Sequence, residues 1–151
     1  MTMASSLPTE TIFVVEDDPQ VLSFVTELLG GEGYVVVSTW DSDEALRLAR
    51  SHTGPIHLLL TDLVMPVLTG QELAGEVRAI HPDMKVLFMS AYSLEIAEDY
   101  KVHLAPGEPF LAKPFSIAAL QRTVRAALNY GPPSSPRGTP ESPPPRLDEG
   151  P

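Results

Sequence analysis

The 151 residues are 43% hydrophobic and 20% charged, with 20 acids, 10 bases and no cysteine. That length supports one domain around one packed core, and the missing thiols exclude disulfides, thiolate nucleophiles and Cys-ligated zinc or iron–sulfur clusters. A formal net charge of −10 argues against nucleic acid as a partner, because binding to its backbone depends on Lys and Arg neutralising phosphates.

Three of the acids and two of the bases lie after residue 130, leaving 17 acids against 8 bases in the rest of the chain. His52, His57, His81 and His103 lack the spacing of a metal cluster. No apolar run reaches the ~18 residues needed to span a bilayer, and no basic region leads into an apolar core at the N-terminus. The expectation is a soluble, cytoplasmic protein with no membrane partner.

Residues 1–10 read as an N-terminal extension. From Thr11 to Tyr130, strand-like and helix-like patterns alternate, the signature of a parallel sheet with helices on its faces. Ile12 to Val15 is an apolar run. Asp18-Pro19 then offers a cap and first-turn pair for a helix carrying Val21, Leu22, Val25, Leu28 and Leu29, ended by Gly30-Gly31. Tyr34 to Ser38 reads as a second strand, and Asp41 and Glu44 have capping-box spacing ahead of Ala45, Leu46 and Ala49.

The stretch "LLLTDLVMP", Leu58 to Pro66, is too short for a helix and reads as a strand buried on both faces. Asp62 stands at its carboxyl end. Thr69 and Glu72 repeat the capping-box spacing before Leu73, Val77 and Ile80, and Lys85 to Met89 is the fourth strand. A short helix is predicted over Ser93 to Lys101, ahead of the breakers Pro106-Gly107. Phe110 to Ala112 is a short fifth strand, after which Ser116 caps a helix that carries Ile117, Leu120, Val124 and Leu128 inward.

From Gly131 onward the chain changes character: half of the 16 prolines fall in the last 21 residues, with almost nothing apolar. No core can offset the entropy of ordering such a segment, so residues 131–151 are expected to form a disordered proline-rich tail. Pro143 to Arg146 has the composition of a polyproline ligand, although a bare terminus is the commoner meaning.

Polar residues interrupt the apolar strands at their carboxyl ends: Glu16-Asp17 after the first, Asp62 after the third, Ser90 after the fourth, Lys113 after the fifth. Each has a bland reading, as a solvated turn, an Asx cap, a strand-end hydroxyl or a surface cation. Parallel strands joined by right-handed crossovers point these ends the same way, toward the edge where open α/β sheets place ligands. Four coincidences at four strand ends argue for one site. Crowded carboxylates repel unless a cation sits among them, and hard oxygen ligands suit Mg²⁺. With Lys113 and Ser90 facing the same point, Asp62 reads as a nucleophile for phosphoryl transfer.

These motifs resemble the receiver domain of bacterial two-component response regulators. The resemblance rests on "VVEDDP" at Val14 to Pro19, "TDLVMP" at Thr61 to Pro66 followed by Gly70, "MSA" at Met89 to Ala91 and "AKPF" at Ala112 to Phe115. It implies a flavodoxin-like, doubly wound five-stranded parallel sheet in the order 2-1-3-4-5 with five flanking helices, over residues 11–130. It also implies that Asp62 is the phosphoacceptor, served by a sensor histidine kinase or a histidine phosphotransfer protein. Asp17, Asp62 and the Val64 backbone carbonyl would hold Mg²⁺, with Glu16 acting through water. Ser90 would be the switch hydroxyl and Phe110 the aromatic switch position. Lys113 would hold a phosphate oxygen, and the Lys113-Pro114 peptide would be cis.

The chain departs from the pattern at three places. Phe110 lacks the hydroxyl of a tyrosine switch. Val64 and Tyr92, two residues beyond Asp62 and Ser90, offer no polar handle for an attacking water, which predicts slow hydrolysis of the aspartyl phosphate. The segment around Ser93 to Lys101 is irregular. No DNA-binding output domain follows in these residues, so the expected output is contact with an unknown target protein, by a stand-alone receiver or one belonging to a hybrid kinase; homodimer formation stays open.

Three rivals compete with this reading. A haloacid-dehalogenase-like phosphatase needs a second Asp where Val64 stands. A flavodoxin-like flavin carrier needs a phosphate loop where Glu16 to Asp18 would repel the phosphate. A pseudo-receiver that only binds partners would not need the full set of acids, Ser90 and Lys113.

Overall fold

The computed structural model describes residues 10–91 and 109–130. The short helix expected over Ser93 to Lys101, the breakers Pro106-Gly107, Tyr92, the extension before Glu10 and the proline-rich tail lie outside the described residues. Five strands and four helices follow in the order β1 (Thr11–Val15), α1 (Pro19–Gly31), β2 (Val35–Thr39), α2 (Ser42–Ser51), β3 (Leu58–Asp62), α3 (Gly70–Ile80), β4 (Lys85–Ser90), β5 (Phe110–Ala112) and α4 (Ile117–Leu128). All strand pairs are parallel, and the sheet order is β2-β1-β3-β4-β5, the order that the family resemblance implies. The strand order reverses between β1 and β3, and at such a switch point these sheets open a crevice at their carboxyl edge.

Side chains alternate across each strand, so a strand covered on both faces needs apolar residues throughout. Phe13, Leu59 and Val86 join one core with Ala45 and Ala49 of α2 and Leu73 and Val77 of α3. Ile12, Val14, Leu58, Leu60 and Leu87 join the other with Val25 and Leu29 of α1 and Leu120 and Val124 of α4.

The helix starts follow the sequence in three of four cases. Asp18 accepts from the Gln20 amide at 2.9 Å, Ser116 accepts from the Ala119 amide at 3.0 Å, and Thr69 and Glu72 form a reciprocal capping box at 2.9 and 3.1 Å. At α2 the box is replaced. Asp41 caps the Asp43 amide at 3.2 Å, but the Glu44 carboxylate accepts from the Thr39 hydroxyl instead of turning back to its own cap. Thr39 is buried at the end of β2, where its hydroxyl needs a partner more than an exposed amide does.

Other boundaries shift for local reasons. Gly30 and Gly31 remain helical, and the chain turns at Gly33, whose φ of 103° suits glycine. Tyr34 bonds to the Leu29 carbonyl at 3.3 Å as part of that turn, so β2 begins one residue later than expected and runs on to Thr39. Ile80 and Ile117, expected inward, are exposed. They are terminal helical residues, one helical step beyond the packed stripe, and in α4 Leu120, Val124 and Ala127 form that stripe.

The last helix is held at the amino edge of the sheet by polar contacts. Lys85, the first residue of β4, donates from Nζ to the Tyr130 carbonyl at 2.6 Å. Arg125 reaches Glu10 at 3.2 Å and the Tyr34 hydroxyl at 2.8 Å.

In urea denaturation, Leu120→Ala is expected to cost about 2–4 kcal/mol, whereas Ile117→Ala should change stability by less than about 1 kcal/mol. Equal losses would place Ile117 in the core, against its 51% exposure.

Candidate functional site

Three strand ends and two loops deliver the polar residues. Glu16 directly follows β1 and is fully buried; Asp17 and Asp18 follow it into solvent. The turn is fixed from both sides: the Glu16 amide donates to the Thr39 carbonyl at 3.2 Å, and the Asp18 amide donates to Glu16 Oε2 at 3.0 Å. Asp62 closes β3, opposite Met89 of β4.

Lys113 follows β5, where its amide donates to the Ser90 carbonyl at 2.9 Å, and the Lys113-Pro114 peptide is cis. Its ammonium lies 2.5 Å from Glu16 Oε1 and 3.2 Å from Asp62 Oδ2. Glu16, Asp17, Asp18, Asp62, Val64, Ala91 and Lys113 line one open cavity of about 560 Å³. The structure thus brings together five of the residues singled out from sequence. Ser90 is buried, and it is Ala91 next to it that lines the cavity. Phe110 is half-buried next to Phe88 on the neighbouring strand and packs against the α2/α3 core.

The electrostatics are lopsided. Burial, followed by the charge of Glu16, pushes the Asp62 carboxyl up to about 8 despite the opposing ammonium of Lys113. Burial alone would lower the affinity of Lys113 for its proton, but Glu16 and Asp62 outweigh it and the net shift is upward. The lysine stays charged. One cation therefore faces three acids whose oxygens, one each from Glu16, Asp17 and Asp62, lie within 4.8 Å of one another. Glu16 Oε1 is buried and held by the Lys113 ammonium. An all-oxygen cluster of three carboxylates facing a single cation fits a hard divalent ion such as Mg²⁺.

Sequence reasoning missed the backbone supports of this site. A Cβ on Gly70 would stand 2.3 Å from the Asp62 carbonyl oxygen and 3.1 Å from Leu63 Cα, so only glycine lets α3 begin against the β3 end. The Thr61 hydroxyl also donates to the Asp62 carbonyl, at 3.1 Å, and the Leu63 amide to Met89 at 2.8 Å. The glycine directly after the Thr69 cap was the available signal, since glycine at a helix start is a poor helix former needing a packing reason.

With this geometry in view, the comparison with known proteins is decisive. Residues 12–125 match the response regulator receiver domain. The chain belongs to that family. It is 35% identical over 121 residues to the sensor kinase CckA of Brucella abortus, covering 78% of this chain but 12% of that protein. It is 32% identical to the response regulator receiver protein CpdR of the same organism over 78% of this chain and 95% of that one. The crystal structure of the receiver domain from the hybrid histidine kinase CckA superposes with a TM-score of 0.65 at 33% identity, covering 78% of this chain and 98% of that domain. The chain spans about half or less of the length of several other curated relatives. Among the described residues, no helix is long and apolar enough to cross a membrane.

Two outcomes follow from the crowded carboxylates. Because the folded state holds the Asp62 proton up to about 8 against an ordinary 3.8, this group's contribution to stability falls as pH rises between those values. Asp62→Asn is expected to raise thermal stability at pH 7.5 in chelator, by roughly 1–3 kcal/mol, and added Mg²⁺ should narrow the gap. A variant no more stable than the parent in chelator would show that the carboxylate bears no such strain. Gly70→Ala should lower stability by about 2 kcal/mol or more in urea denaturation, since backbone has to move.

Proposed function

We propose that the chain is a phosphorylation-switched receiver. On this reading Asp62 accepts a phosphoryl group from a phosphohistidine of a sensor histidine kinase or histidine phosphotransfer protein in the cytoplasm. The signal passes on through protein–protein contacts, without nucleic acid or membrane. The observation that supports it most is the meeting of Glu16, Asp17, Asp62 and Lys113 at one cavity, in a chain of this family.

The chemistry follows from the charges. An ionised Asp62 oxygen attacks phosphorus, the bond from phosphorus to the donor's imidazole nitrogen breaks, and the imidazole leaves with the electron pair. The product is an acyl phosphate on Asp62. When bound, Mg²⁺ supplies positive charge that favours ionised Asp62 and screens the phosphoryl oxygens. Asp17, Asp62 and the Val64 carbonyl would hold it, and Glu16 would act through water. Lys113 Nζ, already beside Asp62, is placed to take a phosphoryl oxygen in exchange for its contact with that carboxylate. Ser90 and Phe110 are the switch positions, and Ser90 would hydrogen-bond the arriving group. The apolar side chain of Val64 gives water no partner, so the acyl phosphate should persist.

Incubation with acetyl phosphate and Mg²⁺ should add one phosphoryl group by intact mass, absent in Asp62→Ala and in chelator. Lys113→Ala should slow the transfer by about 10²-fold or more. After removal of the donor, the adduct should outlast several minutes. A folded parent that takes no phosphoryl group and binds no beryllofluoride would favour a binding-only pseudo-receiver, and decay within seconds would overturn the role given to Val64.

A further inference from the structure

We infer that Thr39, fixed by Glu44, is a positioning residue that holds the acidic turn of β1 in shape for a divalent cation. The inference rests on the phosphoacceptor reading of the site and adds a support from outside the cavity.

Thr39 is 2% exposed at the last rung between β2 and β1, and each of its free polar groups is engaged. Its carbonyl accepts the Glu16 amide at 3.2 Å. Its hydroxyl donates to Glu44 Oε1 and accepts the Asp41 amide at 3.1 Å. The backbone of Glu16 is thus tied to a residue whose side chain is clamped from two sides by the start of α2. Among the described contacts this rung is what ties the Glu16 amide to the neighbouring strand, and it fixes the backbone from which the side chain reaches Lys113 at 2.5 Å and the Asp18 amide at 3.0 Å.

The alternative partner of Glu44 makes the arrangement informative. The sequence offers it a capping box with Asp41, and the same box forms at Thr69 and Glu72. At α2 the carboxylate takes the Thr39 hydroxyl instead. A helix cap alone would be served by the box. Bonding to Thr39 connects α2 to the end of β2 and, through the carbonyl of the same residue, to Glu16. Residues that orient metal ligands from behind commonly matter to affinity nearly as much as the ligands do.

The test is calorimetric titration of Mg²⁺ into the full chain and its Thr39→Val, Thr39→Ser and Glu44→Ala variants, well below their melting temperatures. Thr39→Val should weaken Mg²⁺ binding by about tenfold, and Thr39→Ser, which keeps the hydroxyl, should return it to within about twofold of the parent. Glu44→Ala should weaken it in the same direction, and it reports on the clamp if Thr39→Val does not fold. Unchanged affinity in Thr39→Val, or in Glu44→Ala where that variant stands in, with only a lower melting temperature, would reduce the pair to a helix support and overturn the inference. A parent chain that binds no Mg²⁺ would overturn the phosphoacceptor reading as well, which separates the two failures.

Discussion

Lys113 sets one ammonium against the buried carboxylate of Glu16 and the nearly buried carboxylate of Asp62, while Asp17 adds a third acid at the rim. Two charges of the same sign this close are tolerable in a water-poor site only when something positive shares the space. The lysine does so in part, and burial together with the charge of Glu16 still raises the proton affinity of Asp62. The remainder of the fold serves this imbalance. Three parallel strands end together to bring the charges into contact, and two apolar cores hold those strands so that repulsion cannot push them apart.

The same imbalance gives the site its sensitivity. An acidic edge that lacks positive charge answers strongly to whatever brings or removes it. A phosphoryl group arrives as an anion, so it needs Lys113 and a divalent cation in order to stay; each component makes the others more welcome. Around this centre, Gly70 and Thr61 bear on the Asp62 backbone and Thr39 on the Glu16 backbone. The charged groups are therefore anchored through main-chain contacts, which move less than long side chains do.

Much of this was legible in the residues. Buried parallel strands need unbroken apolar runs, so the polar residues that ended them at Glu16, Asp62, Ser90 and Lys113 stood out, and their common edge followed from topology. Local caps at Asp18, Thr69 and Ser116 were readable because they depend on neighbours two or three residues away. What escaped depended on tertiary competition. Glu44 left its cap for a hydroxyl that only the folded sheet places nearby. Ile80 and Ile117 fit the helical period but sit where the neighbouring layer has ended. The steric need for glycine at position 70 arises from a carbonyl on another element, so the glycine after the Thr69 cap could be noticed in the sequence but its reason could not.

The contact between Lys85 and the Tyr130 carbonyl relates the end of the last helix to the acidic cluster. Tyr130 is fixed beside the first residue of β4, at the rim from which the strands set out, whereas Asp62 stands where they finish. A strand of six residues separates those rims by about 20 Å. Tyr130, the last of the described residues, therefore sits at the opposite rim of the sheet from the acidic cluster.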